Sequence, residues 1–312
     1  MEFGAHLPVI DFDGRPWSLR RLAAFAAAAR RLGFAALCVN DHLVWPRPWL
    51  DSLTALAAVL EVSAPLALIT SILLPVVRGP VALAKSLAAL DLLSGGRLVV
   101  GVGPGSSPCD YAAVGIPFAE RWPRFDESVR VLRALLVRGE PEFRGRFYST
   151  EGIVLEPAPA QSPGPAIWVG SWGSEAGLRR AARLGDGWLA SAYNITPERF
   201  AAAWHRLNDL LRAAGRDPTR FPNGLSTMYC YITEDRAAAD RMLREVLAPA
   251  LRRPAADLAE QLCFGPPEVC AARLTAYRRA GAQRVFLWPV ADEETQLELL
   301  MERVAPEVVR RD

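Results

Sequence analysis

Near its start the chain reads Glu2-Phe3-Gly4-Ala5-His6-Leu7-Pro8, and a second proline follows at Pro16. Residues 2–7 read as a short β-rich run, and Pro8 cannot extend it as a paired central strand. A doubly wound dinucleotide fold needs a Gly-x-Gly-x-x-Gly turn directly after its first strand. Here prolines stand in that place, which argues against the open sheet.

Reading outward, the same unit recurs. Further strand candidates are Phe34 to Asn40, Leu66 to Leu73, Leu98 to Gly103, Ala166 to Ser171, Gly187 to Ser191, Leu225 to Ile232 and Arg284 to Pro289. Several are nearly continuous apolar runs, as parallel strands covered by helices should be. The intervening helices have readable ends. Ser18 caps the first, which stops at Gly33; Pro80 opens another, which Gly95-Gly96 ends; Pro123 and Gly139 bracket a third. Thr196-Pro197 opens a helix that stops before Gly215, and the last barrel helix runs from Pro266-Pro267 to Gly281. Eight strands, each followed by a helix, predict a (β/α)8 TIM barrel, one domain spanning 1–312. Two stretches break the repeat. Pro104 to Arg121 reads as a loop at the C-terminal end of the fourth strand. Gly139 to Pro165 reads as a hairpin (Glu142 to Ser149, then Ile153 to Glu156) and a Pro-rich connector ahead of the fifth strand.

Composition narrows the function. The 312 residues are 51% apolar and 22% charged, with a formal charge of +2, which excludes a disordered chain and gives no nucleic-acid footprint. Lys85 is the single lysine; every other basic residue is arginine. The five cysteines (Cys38, Cys109, Cys230, Cys263, Cys270) form no Cys-x-x-Cys pair, so they are expected to be buried thiols in a reducing cytosol, with no metal site. The N-terminus lacks a basic, then apolar, signal pattern, and Val62 to Val77 is short and proline-interrupted. A cytoplasmic protein without membrane partners is expected.

In a barrel of this kind the chemistry lies at the C-terminal strand ends. Those ends carry His6, Asn40-Asp41-His42, Ser71-Ile72, Gly101 to Ser107, Gly170 to Ser174, Ser191 to Asn194, Tyr229 and Trp288. His42 can exchange a proton near neutral pH. His205, between Trp204 and Arg206, reads as a solvated or structural residue. Gly101-Val102-Gly103-Pro104-Gly105-Ser106 fails as a dinucleotide fingerprint, but its glycines allow backbone to approach a flat ligand. Gly170 to Ser174 leads into a helix N-terminus suited to a phosphate, and Ser174 is equally an N-cap.

At these positions the chain resembles the bacterial luciferase-like monooxygenase superfamily, and in particular its coenzyme F420-dependent branch. The resemblance rests on Asn40-Asp41-His42-Leu43, Thr70-Ser71-Ile72-Leu73, Leu90 to Arg97, Gly101 to Gly105, Ala166 to Ser171 and Leu184 to Trp188. It implies a barrel that holds a deazaflavin or flavin across the strand ends, with a cis peptide between Ser71 and Ile72. It further implies that Asp41, Ser71 and Ile72 contact the ring, that Gly105 and Ser106 flank its edge, that Gly170 and Ser171 approach the phosphate, and that Ser191 bonds near the ring. His42 matches the base of a sugar-phosphate dehydrogenase in this family, and Trp45, with His6, would line the substrate pocket. Ser106 replaces a glutamic acid of that enzyme, which disfavours glucose 6-phosphate because serine is no proton donor at neutral pH.

The expected activity is hydride transfer between a small organic substrate and C5 of coenzyme F420, with His42 moving the proton. The alternatives are an FMN-dependent monooxygenase and a non-catalytic protein that binds flavin or deazaflavin. The resemblance also implies a homodimer, whose shared face the sequence leaves open.

Overall fold

A computed structural model describes residues 1–12 and 14–310. Nine strands follow in chain order: β1 Glu2–His6, β2 Ala36–Val39, β3 Ala67–Thr70, β4 Leu98–Val102, β5 Ile167–Gly170, β6 Gly187–Ser191, β7 Asn223–Ile232, β8 Cys263–Gly265 and β9 Arg284–Pro289. All their pairings are parallel. β1 to β7 run side by side, and β9 lies between β7 and β1, so eight strands close on themselves as a (β/α)8 barrel. The eight expected strands are all present. β8 is additional and pairs only with the far end of β7, Cys230 opposite Cys263.

Helix ends follow the local chemistry that the sequence displays. Ser18 caps the helix Leu19–Arg31 through the Arg21 N–H, and Thr196 caps Pro197–Ala213. Gly95 ends Pro80–Ser94 in the left-handed region at φ 70°. The stretch 104–121, read as a loop, contains the helix Pro108–Ala113, and Arg236–Arg241, Ala248–Leu251 and Ala255–Gln261 fill the region before β8. Pro108–Ala113 is too short for an apolar period to show, and the π segment Met242–Leu247, which joins Arg236–Arg241 to Ala248–Leu251, breaks the 3.6-residue period. The hairpin expected between Glu142–Ser149 and Ile153–Glu156 does not form: the chain reverses inside the first arm, with a single antiparallel bridge between Arg144 and Ser149, and 153–156 is not a strand. Cys109 is exposed, unlike the other four cysteines, because it sits in the first turn of that short helix on the loop after β4. No helix of the described residues is long and apolar enough to cross a membrane.

Strand alternation separates two cores. On β2, Leu37 and Val39 face the helices, whereas Ala36 and Cys38 join Ile69, Trp168, Leu189 and Phe286 inside the barrel. The two large rings fill the interior because neighbouring strands put glycine opposite them. A Cβ on Gly4 would lie 2.4 Å from the Phe286 ring, one on Gly224 2.9 Å from it, and one on Gly187 2.7 Å from the Trp168 ring. The same alternation brings His6, Ser71, Gly103, Gly170, Ser191 and Trp288 inward in the layer above, at the C-terminal mouth.

His6 is fully buried there and stacks on Trp288, with ring centroids 3.4 Å apart. Its Nδ1 lies 2.8 Å from the Leu7 carbonyl oxygen, the bond of an Nδ1–H donor. Burial pushes its pKa down to about 3, against the smaller opposing pull of that bond.

Two predictions follow from this packing. Gly101→Ala would place a Cβ 1.9 Å from the backbone oxygen of Thr70, which cannot swing aside; urea unfolding should show a loss of about 3 kcal/mol. The second concerns pH. Between the ordinary histidine value of about 6.5 and the folded value of about 3, the unfolded chain binds a proton at His6 that the folded chain refuses. Stability therefore falls as pH falls through that window, by about 1.4 kcal/mol per pH unit. His6→Gln should flatten that part of the decline in acid titrations of unfolding.

Candidate active site

The loop after β2 turns two adjacent side chains in opposite directions. Asp41 is buried, and its carboxylate takes both arms of Arg78: Nε to Oδ2 at 2.7 Å and Nη2 to Oδ1 at 2.7 Å. Ser52 Oγ donates to the same carboxylate at 3.2 Å, as does the Leu74 N–H. Arg78 also reaches Asp51 at 2.6 Å. Burial disfavours the charged guanidinium, but the Asp41 and Asp51 carboxylates outweigh it and hold Arg78 above its ordinary range. Asp41 thus ties β2 to the segment after β3, and its carboxylate is committed to that network.

His42 points the other way. Its Nδ1 lies 2.7 Å from Oδ2 of Asp110, a fully buried carboxylate on the short helix after β4. Oδ1 of Asp110 accepts the backbone N–H groups of Leu43 at 2.9 Å and Val44 at 2.7 Å. The neighbouring Tyr111 anchors that helix by donating to the Pro104 carbonyl. His42 packs against Trp45 at 4.1 Å and Trp49 at 4.7 Å between ring centroids. Trp49 meets Trp288 edge-on at 5.7 Å, and Trp288 stacks on Tyr229 at 4.8 Å. A continuous aromatic wall therefore runs from His42 to the strand ends of β1, β7 and β9, with His6 in it. The Trp45 Nε1 and Trp288 Nε1 groups are buried without a hydrogen-bond partner among the described residues.

The opposite side is made of backbone. The Ser71–Ile72 peptide is cis. Asn40 Oδ1 accepts the Ile72 N–H at 3.2 Å, and the Ser71 hydroxyl faces the buried Cys38 thiol. Ile72 lies against two glycines: a Cβ on Gly103 would fall 2.2 Å from its Cδ1, and one on Gly170 3.0 Å from its Cγ2. Gly105 adopts φ 75°, which favours glycine, and Ser106 beside it is exposed.

Polar groups gather on the β5–β7 side. Ser171 Oγ accepts the Gly173 N–H at 3.2 Å, and its carbonyl accepts Trp188 Nε1 at 3.1 Å. Ser174 caps the helix Glu175–Leu184, whose positive end faces this mouth. Ser191 shares a 2.9 Å hydrogen bond with Thr227 and accepts Asn194 Nδ2 at 2.9 Å. A planar ring system with a polar edge, of the flavin or deazaflavin kind, fits this set: glycine backbone and Ile72 on one side, hydroxyls and a helix end at the rim.

Asp110, Arg78, Asn40 and Trp49 escaped the residue-by-residue reading of roles. Two left a signal. Asp110 is the only charged residue between Arg97 and Glu120, and Arg78 the only one between Glu61 and Lys85. A lone charge in an apolar stretch implies a buried partner.

Comparison with known proteins agrees with this architecture. The profile of the luciferase-like monooxygenase family matches residues 2–284. An F420-dependent hydroxymycolic acid dehydrogenase of Mycobacterium tuberculosis is 31% identical over 70% of this chain and 61% of its own length. The chain thus spans about six tenths of that relative. A monooxygenase from Streptomyces bottropensis superposes with a TM-score of 0.86 at 27% identity, covering 98% of this chain and 99% of that one. An F420-dependent secondary alcohol dehydrogenase, solved with an F420–acetone adduct, superposes at 0.85 and 19% identity over 100% and 99%, and shares the fold. With nearly the whole barrel matched by the family profile, the chain belongs to the luciferase-like monooxygenase family.

Proposed function

We propose that this chain is an F420-dependent oxidoreductase that passes a hydride between a small organic substrate and the deazaflavin. The observation that carries the reading is His42 held by a buried carboxylate within the aromatic wall of the barrel mouth. The identity to an F420-dependent dehydrogenase supports the choice of cofactor. When bound, coenzyme F420 supplies a ring that takes or gives a hydride at C5 and reacts poorly with oxygen.

The residues of the chain supply the rest. The Ser71–Ile72 segment, with the Ile72 side chain packed on Gly103 and Gly170, would offer one face to the ring, and Gly105 and Ser106 would flank its edge. Gly170, Ser171 and the helix beginning after Ser174 suit the phosphate. Ser191 offers a hydroxyl at the rim. Asp41 acts at one remove, by fixing the ends of β2 and β3 through Arg78. With Nδ1 engaged, His42 presents Nε2, which accepts the proton released as a substrate carbon gives up hydride. Trp45 and Trp49 cover the imidazole and exclude water, and neutral His6 contributes shape to the substrate side. Holding donor and acceptor in line supplies much of the rate in such a reaction.

A second reading is favoured by the 27% identity to a monooxygenase across nearly the whole of both chains: an FMN-dependent oxygenase using the same mouth. Titrations with F420 and FMN, each oxidised and reduced, separate the two. Tight binding of F420 alone is expected; tight binding of reduced FMN with oxygen uptake would replace the first reading by the second. His42→Ala should keep F420 affinity within about threefold while hydride transfer from a panel of alcohols falls by about 10²-fold or more. Unchanged transfer removes His42 from the mechanism.

A further inference from the structure

We infer that Asp110 is the positioning residue that sets the His42 tautomer and so makes Nε2 the proton acceptor; this rests on the reading of His42 as the base. The two carboxylate oxygens of Asp110 do separate jobs. Oδ1 accepts two backbone N–H groups, from Leu43 and Val44, and so shapes the loop that carries His42. Among the described residues Oδ2 meets only the imidazole, at 2.7 Å from Nδ1. A carboxylate that already accepts two N–H donors is an acceptor toward the ring as well, so the shared proton resides on Nδ1. The neutral ring then carries its lone pair on Nε2. When a substrate O–H gives its proton to Nε2, Nδ1 keeps its own, and the positive charge formed on the ring lies beside a fixed negative one. No electrons pass through the pair.

The burial of Asp110 strengthens the effect. It has no exposed surface, and His42 side-chain exposure is 12%, so water does not compete for this bond. The loop that carries serine at position 106 thus supplies a buried carboxylate four residues later, directed at the base.

The division of labour makes the test specific. In Asp110→Asn two N–H donors still converge on the Oδ1 position, so the amide oxygen must occupy it and the NH2 group must face His42. Nδ1 then has to accept, and the proton moves to Nε2. The fold and the loop survive while the lone pair facing the mouth is lost, a change that a merely structural role for Asp110 would not produce.

The chain has three histidines, so ¹H–¹⁵N long-range correlation spectra are readable, with the His42 ring assigned by its loss in His42→Gln. The wild-type protein should show the Nδ1–H form at a pH where the ring is neutral. Asp110→Asn should show Nε2–H, keep F420 affinity within about threefold, and lose about 10²- to 10⁴-fold in hydride transfer. An Nε2–H form in the wild type, or Nδ1–H retained in a folded Asp110→Asn, overturns the inference; the wild-type spectrum decides even if the variant does not fold. Full transfer by His42→Ala would instead overturn the base assignment and leave the tautomer readout intact.

Discussion

Two buried contacts set the mouth of this barrel: the ion pair of Arg78 with Asp41, and the hydrogen bond between His42 and Asp110. They act on neighbouring residues and pull them to opposite sides of one loop. Removing one partner of the buried Arg78–Asp41 ion pair leaves an uncompensated charge and costs about 3–5 kcal/mol. Arg78 arrives from the segment after β3, and Asp110 from the helix after β4. The end of β2 is therefore fixed from two later parts of the chain, and the orientation of the imidazole depends on both.

The barrel was legible because its signals are local. Apolar runs, proline at helix starts, glycine at helix ends and serine or threonine caps each act within a few residues, and most of these readings survive; the helix expected between Pro123 and Gly139 instead runs Arg121–Leu136. The site was legible only as a list of positions. Alternation continued past β2 makes Asn40 the inward residue and Asp41 the outward one, and Asn40 indeed reaches the Ile72 N–H while Asp41 meets Arg78. A pairing such as Asp110 with His42 spans 68 positions, and no periodicity encodes it.

Several of the residues that make the chain recognisable act away from the mouth. Asp91 holds the Pro-rich connector through both the backbone and the side chain of Gln161. Arg97 donates to the carbonyls of Leu60, Leu66 and Ser94. Asp186 accepts the Ile167 N–H at the start of β5 and the guanidinium of Arg133. These are joints of the barrel, kept by architecture whatever substrate the mouth receives. They identify the family strongly and the reaction weakly, for the same physical reason.

The interior layer, where Trp168 and Phe286 sit opposite glycines, also constrains history. A lineage that replaced Gly4, Gly187 or Gly224 first would pass through a barrel too full to close, since each new Cβ meets a ring within 3 Å. A lineage that first shrank a ring would pass through a cavity, a defect that nearby side chains can partly relax. The barrel interior is thus easier to rebuild in one direction than in the other: a ring must shrink before the glycine opposite it gains a side chain.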